Sequence, residues 1–314
     1  MTSQRKKYSY LGPEGTYTWE ALGQVDGAKD HSWVPVNNVG EALDDVLSDR
    51  SHYAMIAIEN SVEGGVSATQ DALAMAPELR IVGEYVIPVR FVLVGKTGLS
   101  MADVTTIAAH AVSYAQCRKW LELNLPKHAY VPARSNVHAA QTLVDDNLAD
   151  AAIAPPGITR TVNVEILRED IGDNPEAETR FVLVQKGGVP PARTGADKTS
   201  VIAELPDDGP GRLLEMLEQF VTRGVNMSLL ESRPIGDTMG RYRFVIDLDG
   251  HIEDERVADA LMGLRRFSPK VNFLGSYPRA DGHHPEVSDR NSDAAFVRAR
   301  EWLQELRSGG MGLT

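Results

Sequence analysis

Two kinds of apolar pattern alternate over the first 190 positions of the chain. Short runs such as "AMIAIEN", "TTIAAH" and "ADAAIAP" have the apolar centres of strands buried in a parallel sheet, and "KYSYLG" also reads as a strand. Between them the apolar residues recur every three or four positions. "TYTWEALGQV" predicts one helix, and "VHAAQTLVDDNLAD" predicts another with Val137, Ala140, Val144 and Leu148 on one face. Strands alternating with helices predict an α/β domain with helices on both faces of its sheet.

The pattern stops at "KGGVPPARTGADK", whose Gly, Pro and small polar residues mark a boundary, with the linker placed at 191–198. Beyond it "TSVIAEL" reads as a strand. "GRLLEMLEQFVTRG" reads as a helix with a core stripe of Leu213, Leu217, Phe220 and Val221, ending at Gly224. "VNMSLLESRP" and "RYRFVIDLDG" are strands, "IEDERVADALMGLRR" is a helix, and "VNFLGSYP" is a strand. This βαββαβ order over 199–280 predicts a ferredoxin-like unit. In the tail, 281–314, "SDAAFVRAREWLQEL" predicts a docking helix anchored by Phe296, Trp302 and Leu303.

One segment occurs twice, at Arg90–Val94 and Arg180–Val184, both reading RFVLV. The shared letters predict two strands with similar burial. The preceding residue differs: Val89 offers no polar group, and Thr179 offers a hydroxyl beside Arg180.

Composition narrows the function. Hydrophobic residues make up 42% of the 314, enough for packed cores. A net charge of −12 argues against a nucleic-acid or anionic-membrane partner, which needs a basic surface. It leaves room for an anionic small molecule held by a local arginine. Cys117 is the only cysteine, so an intrachain disulfide and a Cys-based zinc site are excluded, and its helix-like surroundings predict a buried side chain. No run approaches the roughly 18 apolar residues of a membrane span. The N-terminal segment lacks the apolar centre of a signal peptide, so a cytoplasmic protein is expected. The scattered histidines show no metal-ligand spacing.

Ligands of open α/β sheets gather beyond the carboxyl ends of strands. There the chain places Gly12-Pro13-Glu14-Gly15-Thr16, a turn that either caps the next helix or presents N–H groups to an anion. Glu59-Asn60-Ser61 reads either as helix capping or as a polar binding shelf. His110 follows a third strand. Arg180, inside an apolar strand, requires an anion, bound as ligand or supplied by a neighbour such as Asp170 or Asp173.

"YLGPEGTYT", "IENSVEGGV", "AHAVSYAQCRKWL" and "TRFVLV", in this order, resemble the prephenate dehydratase family, and "VNMSLLESRP" and "FLGSYP" resemble its ACT regulatory domain. The resemblance covers most of residues 8–280 and is closest to the monofunctional form. It implies a two-lobed, periplasmic-binding-protein-like catalytic domain over 1–190. It also implies conversion of prephenate to phenylpyruvate, water and carbon dioxide without a cofactor. The resemblance makes Thr179, Arg180 and Phe181 catalytic, with Arg180 as carboxylate clamp, Thr179 on the leaving hydroxyl and Phe181 as structural support. Thr16, Glu59, Asn60, Ser61, His110 and Gln116 become substrate-binding. L-Phe is the implied effector, at Gly211, Leu213, Leu214, Asn226, Met227, Ser228, Leu229, Glu231, Ser232, Arg233 and Pro234, in a homodimer or homotetramer. Arg212 stands where the family has alanine. Arogenate dehydratase and a non-catalytic amino-acid sensor are the competing readings.

Overall fold

The structure, a computed structural model, describes residues 5–207, 209–236 and 240–312. The outer limits of the predicted domains, at positions 1 and 314, lie outside the described residues.

The chain opens with β1 (Lys7–Leu11), α1 (Tyr17–Gly23), β2 (Ser32–Val36), α2 (Val39–Leu47), β3 (Tyr53–Asn60), the short β4 (Gly64–Gly65), α3 (Ser67–Met75) and β5 (Leu79–Pro88). β1 pairs parallel with β2 on one side and β3 on the other, so Tyr8, Ser9 and Tyr10 are all buried. Ser9, the polar residue among them, donates to Asp45 Oδ2 of α2 at 2.7 Å.

A second sheet follows from β6 (Val92–Gly95), β7 (Thr106–Ala109), α4 (Ala111–Gln116), α5 (Arg118–Asn124), β8 (Ala129–Pro132), α6 (Asn136–Asp145), β9 (Ala151–Ala154) and β10 (Glu165–Arg168), in the order β10-β6-β9-β7-β8. The chain returns to the first sheet in β11 (Glu178–Lys186), giving the order β2-β1-β3-β11-β5. The two crossings are laced together: Val89 N–H donates to Ala177 O at 2.7 Å, and Ile171 N–H to Phe91 O at 3.0 Å. The chain thus builds two lobes joined by two adjacent crossings.

The crossings explain the repeat. The residues leading into the two RFVLV copies adjoin through the Val89–Ala177 bond, but the copies themselves do not lie side by side as their shared letters suggested. The strands themselves part: Val92–Val94 pair with β9 in the second sheet, and β11 lies in the first. Each copy belongs to the lobe that the chain is entering.

β12 (Asp197–Glu204), α7 (Arg212–Val221), β13 (Met227–Pro234), β14 (Tyr242–Asp249), α8 (Glu255–Phe267) and β15 (Val271–Pro278) form a ferredoxin-like antiparallel sheet, ordered β13-β14-β12-β15. Its core joins Met216, Phe220, Ile246 and Leu264. α9 (Asp293–Arg307) follows. The predicted linker is tied at its end, where Asp197 accepts from the Thr194 and Gly195 N–H groups at 2.8 Å.

Three predicted apolar faces are displaced. α7 buries Met216 and Phe220, one turn apart, and leaves Leu213 and Val221 exposed. α6 stops at Asp145 and the chain turns through a left-handed Asn147, so Val144 and Leu148 are exposed and Leu143 takes the core position. Trp302 and Leu303 are also exposed. α9 is tied instead through polar groups, with Arg300 on Glu255 and the Glu255 N–H on Asp293 Oδ1 at 3.0 Å.

By spatial proximity the described residues group into two compact units, one running to Thr69 and including Tyr85–Leu183, the other Gln70–Glu84 with Val184 onward. In the second unit the 70–84 segment packs on the four-stranded sheet. Lys198 Nζ meets Glu84 Oε2 at 2.8 Å with both side chains buried. The Ile81 carbonyl oxygen lies 2.2 Å from where a Cβ on Gly275 would stand, so that close approach requires glycine.

Candidate active site

Three residues at the end of β3 hold three residues at the start of β11, in opposite order. Glu59 Oε2 accepts from Arg180 Nε at 2.8 Å, and Asn60 Nδ2 donates to Thr179 Oγ1 at 2.9 Å. Ser61 exchanges two bonds of 2.9 Å with Glu178, its N–H donating to the Glu178 carbonyl and its Oγ accepting the Glu178 N–H. The two sequence motifs are one structure.

Strand alternation decides which of these side chains faces a ligand. Thr179 and Phe181 line a cavity of about 280 Å³ between the two lobes. Arg180, between them, points to the opposite face, is 7% exposed and pairs with Glu59. The orientation of the Asn60 amide follows from its other bonds: Oδ1 accepts from the Val62 N–H at 2.9 Å and the Glu63 N–H at 3.3 Å, so the NH2 group must face Thr179. Thr179 Oγ1 is the acceptor in that contact, which leaves its own O–H to point elsewhere.

The first lobe adds Gly12 and Thr16 to the cavity wall. Thr16 caps α1, accepting from the Trp19 N–H at 3.3 Å and donating to Leu11 O at 2.9 Å. Tyr17 donates to the Arg90 carbonyl, and burial pushes its phenol pKa up, keeping it neutral. Val89 and Phe91 from the first crossing supply apolar wall.

The second lobe contributes the starts of α4 and α6. His110 Nδ1 accepts the Val112 N–H at 3.4 Å and so caps α4. Ser113 Oγ donates to Asn136 Oδ1 at 2.5 Å, joining the two helix starts. Gln116 is 7% exposed and lines the cavity, with neither amide atom hydrogen-bonded. Arg134 lines it as well. The described lining contains no carboxylate, and Arg134 is its standing charge. Among the described residues no three His, Cys, Asp or Glu side chains gather closely enough to hold a metal ion.

Of the predicted residues, Thr16, Asn60, His110, Gln116, Thr179 and Phe181 come together here. Glu59, Ser61 and Arg180 do not line the cavity; they fasten β3 to β11. Of the expected Arg180 partners, Asp173 instead accepts the Lys119 and Trp120 N–H groups at the start of α5. Arg134, Ser135 and Asn136 also line the cavity and are not among the predicted residues. Their signal was a serine directly before an amphipathic helix, and Ser135 does cap α6 through the His138 N–H at 3.0 Å. Arg90, in the first RFVLV copy, lines a separate hollow of about 600 Å³ with Glu20 and Arg160.

The prephenate dehydratase family profile matches residues 8–188. A prephenate dehydratase of Mycolicibacterium vanbaalenii is 38% identical over 316 residues, spanning 96% of this chain and 98% of its own. The chain belongs to the prephenate dehydratase family. The Mycobacterium tuberculosis prephenate dehydratase is 39% identical over 313 residues, spanning 96% of this chain and 94% of its own. The crystal structure of an Arthrobacter aurescens prephenate dehydratase in complex with L-Phe is 49% identical, with a TM-score of 0.91 over 96% of this chain and 99% of that one.

In this chain the predicted effector motif on β13 is divided by strand alternation. Glu231 accepts from Gln70 Nε2 at 2.5 Å, and Arg233 meets Asp71 at 2.9 Å, so both face the 70–84 segment. Ser228, Leu230, Ser232 and Pro234 alternate with them and are exposed. Asn226 donates to Asp249 Oδ2 at 2.7 Å. Gly211 holds the left-handed start of α7, and Leu213 and Leu214 are exposed behind it. Arg212 points outward and pairs with Asp207 and Glu215 at 2.8 Å.

Proposed function

We propose that the chain converts prephenate to phenylpyruvate, water and carbon dioxide in the cavity between its lobes, with the Thr179 hydroxyl donating to the departing oxygen. The observation that carries this reading is the Asn60 amide bond, which occupies the Thr179 oxygen as an acceptor and leaves its hydrogen for the substrate. In the reaction the bond from the ring to its carboxylate breaks and the electron pair enters the ring. The carbon–oxygen bond opposite then breaks, and the hydroxyl leaves as water after gaining one proton. Aromatisation drives the step, so no cofactor is required. A threonine hydroxyl is too weak an acid to give up its proton outright. It stabilises the leaving oxygen, and water supplies the net proton. Asn60, Thr16 and Gln116 act by orientation.

The proposal extends to a catalytic domain over 1–190 and a regulatory domain over 199–280 that binds L-Phe as feedback inhibitor, in a cytoplasmic homodimer or homotetramer. The L-Phe complex of the Arthrobacter relative supports the effector. The exposed Leu213, Leu214 and Val221 of α7 and Leu230 of β13 support self-association. L-Phe acts by binding one arrangement of the protein more tightly than another. The test is purified protein incubated with prephenate, with phenylpyruvate followed with and without L-Phe. Absence of phenylpyruvate refutes the activity, turnover indifferent to L-Phe refutes the regulation, and a higher kcat/KM on arogenate reassigns the substrate.

A further inference from the structure

Arg180 is turned away from the cavity and engaged by Glu59, so the cation that meets the substrate must come from elsewhere. We infer that Arg134 binds the side-chain carboxylate of prephenate, the one that survives in phenylpyruvate. This deepens the dehydratase reading and rests on it.

Three observations support the assignment. Arg134 lines the cavity and makes no ion pair among the described residues, so its guanidinium is available to a ligand. It directly precedes α6, a ten-residue helix whose first residues, Asn136 and Val137, line the same cavity, and a helix start favours an anion. Gln116, on the same lobe, carries a buried amide with neither atom hydrogen-bonded. A buried amide left unpaired is costly, and a bound polar group would relieve that cost.

The position suits the chemistry. In prephenate the hydroxyl and the two carboxylate-bearing substituents sit on opposite corners of the ring. The residue that meets the hydroxyl and the residue that meets a carboxylate must therefore stand on different walls. Thr179 comes from the first lobe and Arg134 from the second. The electron flow then selects the carboxylate. The ring carboxylate must surrender its electron pair and leave as carbon dioxide. An arginine paired with it would stabilise the ground state and oppose that loss. An arginine on the side-chain carboxylate, whose charge does not change, holds substrate, transition state and product alike. Apolar wall such as Val89 and Phe91 is left to the departing group.

Uniform binding has a defined kinetic signature. For Arg134→Met the KM for prephenate should rise about 10- to 100-fold, as expected for loss of a charge-assisted carboxylate contact, with kcat within about threefold of the parent. The inhibition constant of the product phenylpyruvate should rise by the same factor, and Arg134→Lys should fall between. Circular dichroism and thermal midpoints verify folding, and calorimetric titration with phenylpyruvate measures binding independently of turnover. An unchanged KM and unchanged phenylpyruvate affinity would overturn the assignment. So would a raised KM with unchanged phenylpyruvate affinity, because Arg134 would then hold the ring carboxylate. A parent protein that binds phenylpyruvate through Arg134 but leaves prephenate intact would refute the dehydratase reading and not this contact.

Discussion

The side-chain amide of Asn60 donates to the hydroxyl oxygen of Thr179 at 2.9 Å, and its own carbonyl oxygen is held by two backbone N–H groups. This polarity makes Thr179 a donor toward the cavity. A carboxamide that could rotate would not impose it.

Thr179→Val removes the hydroxyl with little change in shape, and kcat should fall about 10²- to 10⁴-fold, the range for loss of a positioned proton-sharing group. Thr179→Ser should retain most of the activity. Asn60→Asp should resemble Thr179→Val, because a carboxylate would accept the threonine proton that the substrate needs. Steady-state rates on prephenate decide this; an active, well-folded Thr179→Val protein would remove the hydroxyl from the mechanism.

Arg180 should behave as a positioning residue. It fixes the strand that carries Thr179 through Glu59, so Arg180→Lys should lower kcat by up to about 100-fold through misplacement while leaving the KM for prephenate nearly unchanged. The same substitution at Arg90, which faces a different hollow, should be mild. A large KM effect at Arg180 with kcat preserved would return the carboxylate to it.

Much of this was legible along the chain because it depends on local pattern. The strand and helix order and the βαββαβ unit follow from periodicity, and Thr179 was singled out by the family resemblance, with the residue in front of a repeated strand pointing the same way. Arg180 was harder to place. Period-two alternation sends it opposite to Thr179, but the sequence does not say which face of β11 meets the cavity. Its partner Glu59 lies 121 positions away. The roles of Glu59 and Ser61 are pairings between distant strands, which carry no local signature. Arg134 stayed hidden because an exposed arginine before a helix looks like any solvated charge until the fold sets it on the cavity wall.

Lys198 and Glu84 form a buried pair in the second compact unit, with the Ala280 N–H donating to the other Glu84 oxygen at 3.2 Å. Lys198→Met should leave Glu84 buried without its ammonium partner, at a cost of about 3–5 kcal/mol. The double substitution Lys198→Met with Glu84→Leu should recover much of that loss, since two apolar side chains replace two desolvated charges. Denaturant unfolding of the parent, both single variants and the double variant gives the coupling energy. A coupling near zero would mean that the pair is too hydrated to matter.

Asp71 accepts from both Arg233 and Arg243, at 2.9 and 2.5 Å, and the Arg233 hydrogen bond is the main reason its carboxyl is held below the usual range. A folded-state pKa below the unfolded value of about 3.9 means that the contribution is fully present above that pH and disappears as pH falls through the folded value. The carboxylate is partly exposed, so solvent limits the effect to about 1 kcal/mol per pair. Asp71→Asn should therefore lower the thermal midpoint by a constant amount from pH 7 to about pH 5. The gap to the parent should narrow as the pH drops below about 4, where the parent's own carboxylate takes up its proton. High salt should narrow it at neutral pH as well, because the pairs are accessible to ions. A gap that persists unchanged at low pH would mean that the asparagine perturbs packing between α3 and the sheet, and that the two arginines do not stabilise the fold through the Asp71 charge.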